Sequence, residues 1–237
     1  MKIHRFFINE RFRKGEFTLT DAPLARQIQN ILRLKPGEDI VISDGKGNEA
    51  RATIRAFSPE GAVELNVGSV HPGTSEPSVG IDLYVAILKR ENFEWVVQKG
   101  TEVGVSRFVP VISARTIKLG LKHERLIDIA REAAEQSGRS VMPEITEPVK
   151  ASEVELRGNV YLLDPGRGSR LAVDSDDMAG YRGALIGPEG GWTEEEALEF
   201  EHAGAIPANL GPLTLRAETA AIIAGYLLAS DSSNLKI

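Results

Sequence analysis

The sequence contains no cysteine. That absence removes disulfides, thiolate metal sites, iron–sulfur clusters and cysteine nucleophiles together. It also fits a cytoplasmic protein. Histidine is sparse: His4, His71, His123 and His202 are scattered and show no ligand spacing such as His-x-x-x-His, so no bound metal is expected. Long apolar runs are missing too. None approaches the ~20 residues of a membrane-spanning helix, and the opening MKIHRFFINE lacks the apolar region of a signal peptide. Neither repeats nor low-complexity segments are seen. What remains is an ordinary globular composition, 42% hydrophobic over 237 residues, enough for one large domain or two modest ones.

The net charge of −6 looks unfavourable for nucleic acid, but the charge is unevenly spread. The first 35 residues carry 8 basic and 3 acidic side chains. Phe6, Phe7, Phe12 and Phe17 interleave there with Arg5, Arg11, Arg13 and Lys14. Such a stretch suits RNA, with arginines on phosphates and aromatics on bases. Equally, the phenylalanines suit a core and the arginines a solvated face, because Phe6 or Phe7 must point inward on any strand.

Residues 2–70 read mostly as β structure. IHRFFI, EDIVISD, EARATIRAF and AVELNVGSV are strand candidates, and DGKGNE is a hairpin turn. One helix interrupts, DAPLARQIQNILRL, with Asp21 as N-cap, Pro23 in the first turn and a stripe of Leu24, Ile28, Ile31 and Leu32. The pattern predicts a small β-barrel over residues 1–72. HPGTSEPSVG reads as a linker, and residues 73–237 then alternate strands with helices. The strands VGIDLYVAIL, SRFVPVIS, NVYLLD and GALIG are nearly all apolar, which predicts a parallel α/β sheet. The helices include KHERLIDIAREAAEQSG, TEEEALEFEHAG with Thr193 and Glu196 as a capping box, and the apolar RAETAAIIAGYLLAS.

Two stretches carry the chemistry. In LIGPEGGWTEEE, Gly187, Gly190 and Gly191 follow a strand and precede a helix, where bare backbone N–H groups can meet a ligand. Phosphate is disfavoured. There is no GxxxxGK[ST] and no GxGxxG, no lysine or arginine lies between Gly183 and Leu215, and Glu189, Glu194, Glu195 and Glu196 crowd the loop. GRGSR, from Gly166, is too short a match to count. A cationic ligand with an adenine, such as S-adenosylmethionine, fits better. NLGPLTL, from Asn209, adds a second bare loop with leucines for adenine walls. Both loops also fit plain tight turns.

The pair IGPEGGWTEEE and LGPLTLRAETA resembles the signature of the 16S ribosomal RNA (uracil-N3)-methyltransferase family, of the SPOUT superfamily. The likeness extends over nearly the whole chain. RFF at Arg5 and ILRLKPGEDIVISDGKG resemble that family's PUA-like barrel; EWVVQKGTEVGVSRFVPVIS and EAAEQSGRSVMPEI resemble the start of its methyltransferase domain. The chain departs from the usual pattern at Gln27, Leu126, Asp164, Leu213 and Thr214. The resemblance implies a trefoil knot, a homodimer, S-adenosylmethionine as cofactor and 16S ribosomal RNA, or the small ribosomal subunit, as partner.

With that resemblance, the candidate cofactor contacts are Leu162, Leu163, Ile186, Gly187, Pro188, Glu189, Gly190, Gly191, Leu210, Gly211, Leu213, Leu215 and Thr219. Arg216 is the candidate stabiliser of a uracil oxyanion, with Glu189 or Glu218 as proton acceptor. Arg5, Arg11, Arg13, Arg33 and Lys35 are the candidate RNA contacts. Two other readings stay open: an RNA-binding module without catalysis, and a ribose 2′-oxygen methyltransferase.

Overall fold

The computed structural model describes residues 3–116, 120–172 and 180–230. Its contacts separate into two compact units, Met1–Glu76 with Ala134–Met142, and Pro77–Ala133 with Pro143–Ile237.

The first unit is a mixed sheet. Its strands are β1 (His4–Phe7), β2 (Gly15–Leu19), β3 (Asp39–Ser43), β4 (Asn48–Phe57), β5 (Val63–Val67) and β6 (His71–Pro72). The order is β1-β3-β4-β5-β2, with β6 on β4. β1 lies parallel to β3, and the remaining pairs are antiparallel. The β3–β4 hairpin turns where Asp44 Oδ1 accepts the N–H groups of Lys46 at 2.8 Å and Asn48 at 3.0 Å. Period-2 alternation sends Ile40, Ile42, Ala50, Ala52 and Ile54 inward and Arg51 and Arg55 outward. Each fully buried isoleucine contributes about 1.5–3 kcal/mol.

α1 (Ala22–Arg26) starts as expected, with Asp21 accepting the Leu24 N–H at 3.0 Å and proline in the first turn. The expected stripe then breaks. Residues Gln27–Ile31 are wound as a π-helix, and the Leu32 N–H reaches back to the Gln27 carbonyl at 2.9 Å. The wider turn rotates the following side chains, so Ile28 is buried but Ile31 is 70% exposed. Phe6 and Phe7 are both buried, and Phe12 and Phe17 pack against the core that holds Phe6. All four phenylalanines of the basic stretch therefore serve the core rather than a base-stacking surface. Strand β2 was not foreseen, and β6 occupies the start of the stretch read as a linker.

In the second unit the strands are β7 (Gly80–Ala86), β8 (Arg107–Ile112), β9 (Glu144–Ile145), β10 (Val149–Lys150), β11 (Asn159–Leu163), β12 (Ser169–Arg170), β13 (Tyr181–Ile186) and β14 (Ile206–Asn209). All pairings are parallel, in the order β10-β8-β7-β13-β11-β14-β12, with β9 on β8. The helices are α2 (Arg90–Glu102), α3 (His123–Ser137), α4 (Glu194–His202) and α5 (Ala217–Ala229). Burial on both faces explains the continuous apolar strands. The chain runs outward from β7 through β8 to β10, then crosses to β11, and β13 fills the gap beside β7. That reversal is a topological switch point, where ligands collect at the carboxyl ends of strands.

The opposite end is closed by ions. Asp82, fully buried, accepts from Arg107 at 2.7 Å and from Arg157 at 2.9 Å. The Tyr84 phenol is pushed up by its burial and by the Asp82 charge. Among the described residues no helix is long and apolar enough to cross a membrane. Nor is there a group of three His, Cys, Asp or Glu side chains arranged to hold a metal ion.

Candidate active site

A cavity of ≈ 580 Å³ lies beyond the carboxyl ends of β7, β11, β13 and β14, within the second unit. This is the size of a small-molecule site. Its walls are three loops, the first turn of α5, and Lys89 and Asn92 at the start of α2.

The first loop follows β13. A Cβ placed on Gly187 would stand 3.1 Å from the Trp192 nitrogen and 3.3 Å from the Gly191 Cα, so the backbone folds back close enough that any side chain there would press on it. Gly191 takes φ +70, and its N–H bonds the Pro188 carbonyl at 2.8 Å. The capping box then starts α4: Thr193 accepts the Glu196 N–H at 3.2 Å, and Glu196 accepts the Thr193 N–H at 2.9 Å. The other Glu196 oxygen accepts the Ala114 N–H at 2.7 Å. Arg115 donates to the Gly190 carbonyl and, at 3.3 Å, to that of Trp192. The outer edge of the loop is thus held by the β8–α3 connection.

The second loop follows β14. Asn209 Oδ1 accepts the Gly211 N–H at 3.1 Å, and Gly211 takes φ +115. Leu210 and Leu215 are half-buried, while Leu213 is 75% exposed at the mouth.

The third loop follows β11 and was not foreseen. Asp164 and Pro165 line the cavity. Asp164 Oδ1 accepts the Gly166 N–H at 2.9 Å. Arg167, from the discounted GRGSR stretch, pairs with Asp164 at 3.5 Å, with Glu201 at 2.9 Å and with Glu194. Asn209 Nδ2 donates to the Gly168 carbonyl at 3.0 Å. Arg167 therefore ties the third loop to α4, and Asn209 ties it to the second loop. A guanidinium already held by three carboxylates is not open to a phosphate, so this stretch serves as a strap. Apart from the local contacts of Asp164, its pairings cross 27 to 42 positions in sequence, which no local pattern reveals.

The cavity is acidic on balance: Asp164, Glu189 and Glu218 face Lys89 and Arg216. Glu218 is 5% exposed, and it accepts a long hydrogen bond from Asn92 Nδ2 at 3.5 Å. Glu189 is exposed. Arg216, the exposed N-cap residue of α5, makes no ion pair among the described residues.

Residues 74–229 match the model of an RNA methyltransferase domain, and residues 24–63 that of an RNA methyltransferase PUA domain. A ribosomal RNA small subunit methyltransferase E of Synechocystis is 30% identical over 91% of this chain and 73% of its own length. The chain belongs to this methyltransferase family. The Bacillus subtilis enzyme of the same name is 29% identical over 83% of each chain. Two solved structures share the fold. A Neisseria gonorrhoeae ribosomal RNA small subunit methyltransferase E bound to S-adenosyl methionine has TM-score 0.84 and 28% identity, covering 94% of this chain and 95% of its own. A Legionella pneumophila methyltransferase in complex with the same cofactor has TM-score 0.83 and 28% identity, covering 96% and 97%.

Within this methyltransferase, the structure brings most of the candidate residues to one place. Leu163, Ile186, Gly187, Pro188, Glu189, Gly191, Leu210, Gly211, Leu213, Leu215, Arg216 and Glu218 all line the cavity. Leu162, Gly190 and Thr219 do not. Leu162 is fully buried in the core beneath α4. A Cβ on Gly190 would meet Arg115 Cδ at 3.3 Å, so that position faces the Arg115 clamp. Sequence reasoning missed Lys89, Asn92, Asp164, Pro165, Trp192 and Asn209. Trp192 and Asn209 lie inside the two quoted stretches beside Gly191 and Leu210, whereas Lys89, Asn92, Asp164 and Pro165 are distant in sequence and only the strand-end rule pointed to the places after β7 and β11.

Of the RNA candidates, Arg5 is spent within the fold: its guanidinium pairs with Glu49, and both are largely covered. Arg11, Arg13, Arg33 and Lys35 are exposed.

Proposed function

We propose that this chain transfers the methyl group of S-adenosylmethionine to nitrogen 3 of a uracil in 16S ribosomal RNA. The cavity is the observation that carries the cofactor's half of this reading. It lies at the switch point, has two glycine-bearing walls, apolar sides at Leu163, Ile186, Leu210 and Leu215, no phosphate-binding cation in the glycine loops, and one more carboxylate than cations. S-adenosylmethionine carries an ammonium and a sulfonium against one carboxylate, so its net positive charge complements that lining. The family and the two cofactor-bound relatives support the same choice.

When bound, the cofactor supplies an electrophilic methyl group on sulfur. The nitrogen–carbon bond forms as the carbon–sulfur bond breaks, and the sulfur keeps the electron pair. Uracil nitrogen 3 must first lose its proton. Glu218, buried at the cavity wall with one long hydrogen bond, takes that role in our reading, ahead of the exposed Glu189. Arg216 stabilises the charge that spreads onto the uracil oxygens. The glycine loops would hold the cofactor, and holding donor and acceptor together is what such a site contributes to the transfer. Mass spectrometry of nucleosides from a deletion strain tests the reaction. Loss of 3-methyluridine from small-subunit RNA is expected, and its persistence, or loss of a ribose-methylated nucleoside instead, defeats the reading.

We assign residues 1–72 to an RNA-gripping PUA-like domain and 73–237 to the methyltransferase domain, with a trefoil knot in the latter. What supports the knot is that β14 lies beyond β11, yet α5, which follows β14, returns to pack on β7 and β13. RNA grip follows from charge. In the basic stretch Arg11, Arg13 and Lys14 are exposed and make no ion pair among the described residues. Reversing Arg11 and Arg13 to glutamate is expected to weaken RNA binding at least about 10-fold and to flatten its salt dependence. Cofactor affinity measured by calorimetry should not change. Wild-type methylation of ribosomal RNA by the double variant, across a range of salt, would exclude this surface.

A homodimer is the second part of the proposal. α5 buries Ala221, Ala224, Gly225 and Leu228 but leaves Ile223 and Tyr226 exposed, at 37% and 53%. α2, which packs on α5, adds Trp95 at 50%. A helix with two apolar faces needs a second partner, and the family resemblance points to another copy of the chain. Light scattering at micromolar concentration should read a dimer for the wild type and a monomer for Tyr226→Glu. A wild-type monomer, or a Tyr226→Glu dimer, counts against it.

A further inference from the structure

We propose that the turn at residues 31–35 seats a single-stranded segment of RNA, with Arg33 holding a phosphate and Ile31 lying against the face of an unstacked base. The inference rests on the RNA-methyltransferase reading and names the element of the first unit that does the holding.

The starting observation is backbone strain. Arg33 has φ 55 and is the one non-glycine residue with positive φ among those described; every other such position is glycine. It follows the π-helix Gln27–Ile31, and the Leu34 N–H reaches back over it to the Ile28 carbonyl at 3.1 Å. This is the left-handed position that ends helices, where glycine is the default because a Cβ is penalised. The Arg33 side chain is exposed and has no hydrogen bond or ion pair among the described residues, so no side-chain contact within the fold offsets that penalty. Strain retained by a side chain without a partner in its own fold points to a partner outside it.

Ile31 is the second observation. π-winding, a distortion frequent at functional sites, turns it out to 70% exposure, beside Arg33 and Lys35. The neighbouring cations are in excess. Arg26, Arg33 and Lys35 are exposed without ion pairs among the described residues. Glu38, whose carboxylate accepts the Lys35 N–H at 2.6 Å, keeps its charge, but over residues 26–38 the three cations outnumber this one acid. The ligand must therefore be anionic and offer an apolar face. An RNA duplex offers phosphates but hides its base faces, whereas a single strand offers both. The aromatic residues of the stretch are packed inward, so the seat for the base is aliphatic.

The test compares the full chain with Arg33→Gly and Ile31→Ser. Each is titrated with a single-stranded RNA oligonucleotide of mixed sequence and with an RNA duplex, between 50 and 200 mM salt as a roughly tenfold-sensitive window. Arg33→Gly relieves the backbone, so its unfolding temperature should equal or exceed that of the wild type. It should bind S-adenosylmethionine normally yet lose about 5-fold in single-strand affinity, with the salt slope reduced by about 0.7. Ile31→Ser should lose about 5-fold or more for the single strand with the slope unchanged, and nothing for the duplex. A purely structural Arg33 predicts a more stable Arg33→Gly with wild-type RNA binding, which would overturn the proposal. So would equal losses of single strand and duplex by Ile31→Ser. If the wild type binds the cofactor but neither RNA, the RNA reading itself fails, and this inference falls with it.

Discussion

Gly187→Val is expected to lose S-adenosylmethionine binding by about 100-fold or more in calorimetry, while Gly190→Val keeps it within about 3-fold. The two glycines are three residues apart in one loop, and residue type alone does not separate them. Geometry does. Gly187 lines the cavity, and a Cβ there meets the backbone of Trp192 and Gly191 at 3.1–3.3 Å. Backbone held by a capping box and by the Arg115 clamp cannot yield as a flexible side chain can. Insertions into packed space commonly cost about 1–3 kcal/mol, and rigid neighbours place this one at the upper end. At Gly190 an added side chain meets only the aliphatic stem of Arg115, at 3.3 Å, and no backbone. Gly187→Ala should give an intermediate loss, and unfolding curves should confirm that each variant folds. Equal losses at the two positions would mean that the loop presents the other face to the cofactor.

Arg216→Ala is expected to lower kcat about 10²–10³-fold, with the Kd for S-adenosylmethionine little changed. Arg216 stands at the start of α5, lines the cavity and is exposed, so its charge is available to the substrate. Its loss removes a stabiliser of charge that exists only as the uracil ionises, and such a loss falls on kcat. Glu218→Gln tests the partner role. It keeps the shape and the Asn92 contact but cannot accept a proton, so kcat should fall about 10²-fold or more near neutral pH. Raising the pH ionises uracil nitrogen 3 without help and should narrow that gap. Glu189→Gln should cost less than about 10-fold, since Glu189 is exposed at the rim. If Glu189→Gln shows the larger loss, with the same rescue at high pH, the two carboxylates exchange roles.

Much of this was legible because it is written in neighbouring residues. The Asp21 cap, the Thr193–Glu196 capping box, the Asp44 turn and the buried side of α3 at Leu126, Ile129, Ala133 and Ala134 depend on spacings of two to eight residues. The near-continuous apolar strands announced a parallel sheet. The two glycine-bearing loops and their surroundings marked the cavity and the family. Strands β2 and β14 escaped because GEFTL and IPAN are short, and each contains glycine or proline.

The remaining assignments were settled by packing across long sequence separations. The same stripe rule that placed Ile28 inside placed Ile31 there too, until π-winding turned it out. Four phenylalanines fitted either a core or a stacking surface, and the sheet took them all. Arg5 read as an RNA contact like Arg11, but strand pairing set it beside Glu49. Arg167 lay in a GRGSR stretch too short to count as a motif, and folding surrounded it with Asp164, Glu194 and Glu201. A charge or a methyl group has no fixed meaning until its surroundings are set. Local spacing sets the helix face or strand side on which a side chain lies. The free energy of placing it there depends on the dielectric, the counter-charges and the free volume around it, and distant parts of the chain supply those only when they meet.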